Sequence, residues 1–365
     1  MLLTEADGKA LLREADIPTP PGQLVRAPAT PSVPGPWMVK AQVPAGGRGL
    51  AGLIRRAETP QAARAAVAAL LGAMHRGHRV GACLIEQVAQ GEEQYLAIAL
   101  DPAAYGLRLL YRPEGGMAVE QGGSLAGTAL PPEPAAIAAA LPGLLPGAVV
   151  PIAMRLADLV LTRELALAEI NPLFVRAAVA VAVAGDARIV IDLNALPRQP
   201  ALAARIAADP DAYPDAIRRQ EHGFDYVTLD PAGRIGLLTT GAGLSMMLID
   251  EMTAAGARPL NFCDIRTSML RGSPARIIAA LEWMAAASDL RAILVNIFAG
   301  ITDLAEFAGL LAEALAARPV AVPVIARLVG RNAGAAAEIL TARAPGVVLE
   351  PDLTRALARA VEAAR

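Results

Sequence analysis

The chain has 365 residues, 55% of them hydrophobic but only 3% aromatic, and a net charge of −2. That length exceeds one ordinary domain and predicts two, with cores built from Ala, Val, Leu and Ile. A near-neutral balance without a basic, aromatic-rich stretch excludes a broad nucleic-acid-binding face. Cys83 and Cys263 lie far apart and there are three histidines, which argues against a structural zinc site and for two buried free thiols. The opening Met1–Lys9 does not read as a signal peptide. The apolar run Ala135–Met154 is broken by Pro142, Pro146 and Pro151, so a membrane span is not expected. The expectation is a soluble, cytoplasmic protein.

Thr4 to Ala15 reads as a short helix that buries Leu11 and Leu12 and is ended by Pro18, Pro20 and Pro21. Trp37 to Ala41 is an apolar strand with Lys40 inside it, and it runs into a loop carrying Gly46, Gly47, Arg48, Gly49 and Gly52. Glycines let backbone N–H groups close on an anion, and Lys40 and Arg48 supply charge, so the stretch suits a phosphate. Lys9 and Lys40 are the only lysines among 33 basic residues. A hairpin turn with a snorkelling lysine is the plainer alternative. Thr59–Gly72 follows as a helix, then strands over Ala82–Val88, Gln94–Leu100 and Leu107–Tyr111, with a turn at 113–116 into a strand over Met117–Gln121.

Ala135–Leu161 is mainly helical. Leu165–Val175 is a strand in which Glu169 and Asn171, two residues apart, share a face. Val179–Val183 and Arg188–Ile191 are strands, the latter ending on Asp192. Two strands that each deliver a carboxylate to one end suit Mg²⁺, which takes few protein ligands and completes its shell from phosphate and water; the alternative is that these residues merely cap strand ends. The polar, proline-bearing segment from Leu196 to Gly223 reads as a linker, dividing the chain into 1–222 and 223–365.

The second half alternates strand and helix: strands over Arg234–Leu238, Pro259–Phe262, Ala292–Phe298, Val322–Leu328 and Val347–Leu349, each followed by a helix. Five such units predict a doubly wound parallel sheet with its ligand face beyond the strand C-termini, where the loops Thr239–Gly243, Cys263–Gly272 and Ala299–Asp303 fall. There is no P-loop pattern and no Ser/His/Asp or Cys/His arrangement; His75 and His78 sit in a polar turn and His222 in the linker.

With these pieces in place, the chain resembles the beta subunit of the ADP-forming succinyl-CoA synthetase family, which includes malate-CoA ligase beta subunits. The motifs that carry the resemblance are Val39–Gly52, Glu169–Leu173, Asn194–Pro200, Gly241–Met246, Asn261–Asp264, Val295–Ile301 and Arg327–Ala333. The resemblance implies an α+β ATP-grasp domain followed by an α/β, flavodoxin-like CoA-ligase domain. It implies Mg²⁺, with ATP or GTP and CoA as substrates, and a partner alpha subunit that binds CoA and carries a phosphorylated histidine. Lys40, Gly47, Arg48 and Gly49 would hold the phosphates. Glu86 would lie at the adenine hinge and Glu93 near the ribose. Asn171 and Asp192 would bind the metal, and Glu169 would contact the partner's histidine, with Glu169 and Arg48 as catalytic residues. Asp192 stands beside an apparent deletion relative to the family.

The family's asparagine before Gly-Ala-Gly is Thr240 here, its Gly-Gly-Gly loop is Arg266-Thr267-Ser268, and its Gly-Gly-Ile-Val-Arg is Ala299-Gly300-Ile301-Thr302-Asp303. Thr240, Arg266, Gly300, Ile301 and Thr302 are therefore the expected acid-binding residues. A substituted or sulfonated small acid meeting Arg266 or Arg271 is expected in place of succinate, with succinyl-CoA or malyl-CoA synthetase proper as the alternative. A non-catalytic scaffold and a lone ATP-grasp carboxylate–amine ligase are the other readings.

Overall fold

The computed structural model describes residues 1–116 and 127–365, so the strand expected over Met117–Gln121 lies outside the described residues. The chain divides into two compact units, Met1–Tyr213 and Pro214–Arg365, short of the boundary expected at 222.

The first unit opens with α1 (Glu5–Glu14), capped by the Thr4 side chain, which accepts the Asp7 N–H. Strands β1 (Gly22–Val25), β2 (Trp37–Gln42) and β3 (Ile54–Ala57) follow. Helix α2 (Pro60–Leu70) has Thr59 as its cap and proline in its first turn. A small hairpin, β4 (Met74–His75) and β5 (His78–Arg79), leads to β6 (Ala82–Gln87). The first sheet has order β1-β6-β2-β3, all antiparallel. Val39, Ala41, Cys83 and Ile85 pack with Ala63, Val67 and Leu70 of α2 into one core. The alternation that buries Val39 and Ala41 under α2 sends Lys40 to the other face.

The second sheet comprises β7 (Glu92–Asp101), β8 (Gly106–Arg112), β9 (Thr128–Leu130), β10 (Leu165–Arg176), β11 (Val181–Ala184) and β12 (Arg188–Ile191). Its order is β11-β10-β7-β8-β9, with β12 also paired to β10. Helices α3 (Pro134–Ala140) and α4 (Val150–Thr162) follow β9, and α4 packs on β7 and β10. Helix α5 (Pro200–Ala207) buries Leu202 and Ile206, so part of the expected linker is an ordered helix of this unit.

The second unit begins with α6 (Pro214–His222), the rest of that segment, and β13 (Asp225–Thr228). Then come β14 (Ile235–Thr239), α7 (Ala242–Ala254), β15 (Asn261–Asp264), α8 (Ala275–Ala285), β16 (Ala292–Ala299), α9 (Leu304–Ala317), β17 (Val324–Gly330), α10 (Ala333–Arg343), β18 (Val347–Leu349) and α11 (Leu353–Ala363). The sheet order is β13-β15-β14-β16-β17-β18, parallel apart from the β13 edge. Side chains alternate between two cores. Ile293, Val295 and Ile297 meet α8, α9 and α10, whereas Ala292 and Leu294 meet α7 and α11. Helices thus cover both faces, as a doubly wound sheet requires. Both cysteines are free and buried, and burial raises the Cys83 thiol to about 11. No helix among the described residues is long and apolar enough to cross a membrane.

Candidate functional site

The first unit contains a cleft of about 640 Å³, walled by β2 and β6, the glycine loop, and the β10–β12 pair. Lys40, Gly47, Arg48, Gly49, Glu86, Glu93, Glu169 and Asn171 all line it, so the structure brings together every first-unit residue expected at the site except one. Gly47 takes φ +77 at the start of the turn, a conformation a side chain would strain.

Lys40 Nζ donates to Glu5 Oε1 at 2.7 Å and to the Gly185 carbonyl at 2.7 Å, and pairs with Glu86 Oε1 at 2.6 Å. Burial opposes the charge, but Glu5, Glu86 and Asp186 outweigh it and drive the pKa far above the ordinary lysine value. Lys40 is thus a caged cation and not a snorkelling side chain. Arg48 donates through Nη1 to Glu5 Oε2 at 2.8 Å and to the Ala41 carbonyl at 3.2 Å. Its Nη2 reaches both Asp186 oxygens at 3.1 Å. Burial again opposes the charge, and Asp186 and Glu5 prevail. Glu86, expected at the adenine hinge, turns its carboxylate inward to Lys9 at 2.5 Å and Lys40 at 2.6 Å. Its observed role is to hold Lys40, while Gln87, Val88 and Ala89 just after it line the cleft. Glu93 is exposed at the rim, paired in register with Phe174.

Glu169 accepts the Tyr95 hydroxyl at 3.3 Å and the Arg188 guanidinium at 3.3 Å. Burial raises its pKa despite the opposing pull of Arg188 and Tyr95. Asn171 Oδ1 accepts the Gly116 N–H at 2.6 Å, and its Nδ2 donates to the Gly116 carbonyl at 3.2 Å.

Asp192 does not join this group. Strands β10 and β12 are antiparallel, pairing Leu165 with Ile191 and Glu169 with Arg188. Asp192 therefore emerges at the Leu165 end, where its Oδ1 accepts the Asn194 backbone N–H at 2.8 Å. The Gly185 N–H donates to the Pro172 carbonyl at 2.9 Å, which sets Asp186 opposite Asn171. Asp186, which no sequence pattern singles out, lines the cleft beside Asn171. It stands just before β12, at the end that faces Asn171, a placement set by strand register and not by a local motif.

The oxygen donors fit Mg²⁺. Asn171 and Asp186 offer a few hard oxygens on one wall, and Mg²⁺ completes its shell from phosphate and water. Among the described residues no group of three or more His, Cys, Asp or Glu could hold a metal unaided.

The second unit places hydroxyls at the C-terminal ends of three neighbouring strands. Thr240 follows β14, Thr267 lies in the loop after β15, and Thr302 follows β16. Thr267 Oγ1 is 2.7 Å from Thr302 Oγ1 and 3.5 Å from Thr240 Oγ1. Gly300 has open space where a Cβ would be, and Ile301 is 93% exposed beside it. Asp303 caps α9 by accepting the Ala305 N–H at 3.0 Å, and the Asn332 amide at 2.8 Å partly offsets its charge. Arg266 differs from expectation. Its guanidinium donates to Asp225 at 2.6 Å, so it is committed to the β13 edge and not turned to an acid. Arg271 is exposed in the same loop.

Comparison with known proteins gives a consistent picture. The ATP-grasp domain model matches residues 2–125 and the CoA-ligase model residues 238–361. The chain is similar to proteins described as succinate–CoA ligase [ADP-forming] subunit beta. That of Rubrobacter xylanophilus is 35% identical, covering 100% of this chain and 99% of its own. Those of Chloroflexus aurantiacus (34%, 93% of each) and Gemmatimonas aurantiaca (32%, 100% and 98%) are comparable. Among solved structures, ATP citrate lyase from Methanothrix soehngenii, in complex with citrate and coenzyme A, has the same fold at 18% identity. Its TM-score is 0.71, with 99% of each chain covered.

Proposed function

The chain belongs to the ADP-forming succinate–CoA ligase beta-subunit family, and we propose that it binds Mg-ATP in the first-unit cleft and drives phosphorylation of a histidine on an alpha subunit. The phosphoryl group then passes to a carboxylate to give an acyl phosphate, and CoA thiol displaces phosphate to give the thioester. The observation that carries this reading is the convergence of Lys40, Arg48, Glu169, Asn171 and Asp186 on one cleft.

Phosphoryl transfer needs positioning and charge neutralisation more than covalent help from the protein. Lys40 and Arg48, with the Gly46–Gly49 backbone, bind the phosphates. Asn171 and Asp186 would hold the metal, which would supply charge neutralisation for the transferring phosphoryl group. Glu169, beside Tyr95, stabilises the cationic state of the accepting histidine when its carboxylate is ionised. Glu93 stands at the rim for the ribose.

The acid differs from succinate in this reading. Side chains at Arg266, Thr267 and Ser268 close a loop that glycines leave open in the family, and Thr240, Thr267 and Thr302 line up hydroxyls where the acid is expected. Hydroxyls favour a substituted acid with its own hydrogen-bonding group.

The test is to co-purify the chain with its alpha subunit and supply γ-labelled ATP. A base-stable, acid-labile label on the alpha subunit is expected, and its absence would sink the proposal. Profiling small acids by kcat/KM then decides the substrate: succinate as the best acid would overturn the second part.

A further inference from the structure

Helix α1 carries Glu5 into the wall of the cleft, and nothing in the sequence marks that carboxylate as functional. It is buried, and its two oxygens serve three cations: Oε1 meets Lys40 at 2.7 Å and Lys9 at 2.8 Å, and Oε2 meets Arg48 at 2.8 Å. Glu86 closes the other side of Lys9 and Lys40, and Asp186 the other side of Arg48. Three buried or half-buried anions thus balance three buried cations, and Glu5 alone touches all three cations.

Its position is built and not incidental. Thr4 caps α1, and the Thr4 backbone N–H donates to the buried Tyr213 hydroxyl at 2.9 Å. The Ala6 N–H donates to Gln42 Oε1 at 2.8 Å, which ties the helix to the strand that carries Lys40. Leu3 is anchored through its N–H to the Ile189 carbonyl at 2.9 Å. Helix, lysine strand and β12 are therefore hydrogen-bonded together around the carboxylate.

We propose that Glu5 is a positioning residue for nucleotide binding, fixing Lys40 and Arg48 at the separation that the phosphates require. This rests on the reading of the cleft as the nucleotide site. Long cationic side chains lose much rotamer freedom when they order around a ligand. A carboxylate that holds both in advance removes that cost, and groups that orient ligand-binding residues are commonly worth about ten- to a hundredfold in affinity.

The experiment measures ATP binding directly, by calorimetry with Mg²⁺ on the complex with the alpha subunit. Glu5→Gln alone leaves an unbalanced buried cation, so Glu5→Gln is combined with Lys9→Met, which keeps the cluster neutral. The double variant is expected to melt near the wild type, to weaken ATP binding by about tenfold or more, and to leave the KM of the acid within about twofold. Gln42→Met, which unties α1 from the lysine strand and removes the Gln42 bond to the Lys40 carbonyl but breaks no ion pair of the cluster, is expected to weaken ATP binding by about threefold. ATP affinities unchanged in whichever of these variants folds would overturn the inference while leaving the nucleotide site intact. A wild-type complex that binds no ATP would remove the functional reading beneath it.

Discussion

Arg48 holds both carboxylate oxygens of Asp186 at 3.1 Å, joining the glycine loop to the wall that also carries Asn171. The Asp186 carboxylate therefore pairs with Arg48 in the same cleft that Asn171 lines. Asp186→Asn keeps the shape and removes the charge. Turnover with ATP is expected to fall about a hundredfold, with a raised Mg²⁺ requirement. Asp192→Asn, outside the cleft and bonded to Asn194 in its own turn, is expected to stay within about twofold of wild type. Steady-state rates across a Mg²⁺ titration check both, and the reverse ranking would restore Asp192 as the metal residue.

Lys40 separates stability from binding. Lys40→Met is close in shape but leaves Glu5 and Glu86 each short of a cation. Breaking a buried pair by removing one partner costs about 3–5 kcal/mol. A urea titration is expected to show a loss of that order, and ATP binding is expected to vanish even where the fold persists. A stable variant with normal ATP affinity would mean that the lysine serves neither purpose.

Burial raises the Glu169 pKa above the ordinary carboxylate value. As pH falls through that raised pKa the carboxylate becomes neutral and ceases to stabilise a cationic histidine. Labelling of the alpha subunit is therefore expected to decline toward acid pH at a higher pH than an ordinary glutamate would dictate. Glu169→Gln should be slow and flat across the same range, so rapid-quench labelling between about pH 4.5 and 7.5 separates the two. The stability sign is opposite. The folded chain holds the proton more tightly than the unfolded chain, so this group favours folding at low pH and loses that contribution as pH rises through the window.

The hydroxyl row offers a test confined to the second unit. Thr302→Val removes the hydroxyl that lies 2.7 Å from Thr267 and keeps the side-chain volume. Histidine labelling by ATP is expected to persist. The kcat/KM of the preferred acid should drop by about tenfold relative to an unsubstituted acid of the same length. Equal effects on both acids would show that the row is structural.

The second unit was legible because its strands are short apolar runs that alternate with helices, and β16 buries side chains on both faces as an internal parallel strand must. Lys40, Arg48, Glu169 and Asn171 were legible because each belongs to a local pattern. Asp186 was not, because what sets it opposite Asn171 is the antiparallel register of β10 and β12, a relation between distant segments. Glu5 escaped for the same reason: on the sequence it is an ordinary first-turn acid, and only tertiary packing shows it meeting Lys40 and Arg48. The segment from Leu196 to Gly223 was read as a linker from its prolines and charges. Pro200 and Pro214 instead occupy first-turn positions of helices, where a missing N–H costs nothing. The short edge strand Asp225–Thr228 went unread because four residues carry too little periodicity.

Lys9 and Lys40 are the chain's only lysines, and both are buried in the Glu5 cluster. Every basic side chain on the surface is thus an arginine or a histidine. Amine-directed chemistry, whether acetyl transfer, ubiquitin attachment or an activated-ester label, meets no exposed side-chain amine on the folded chain. Modification at Lys40 requires its ion pairs with Glu5 and Glu86 to open, so its rate reports local opening of the cluster. A tight ligand in that cleft should slow it.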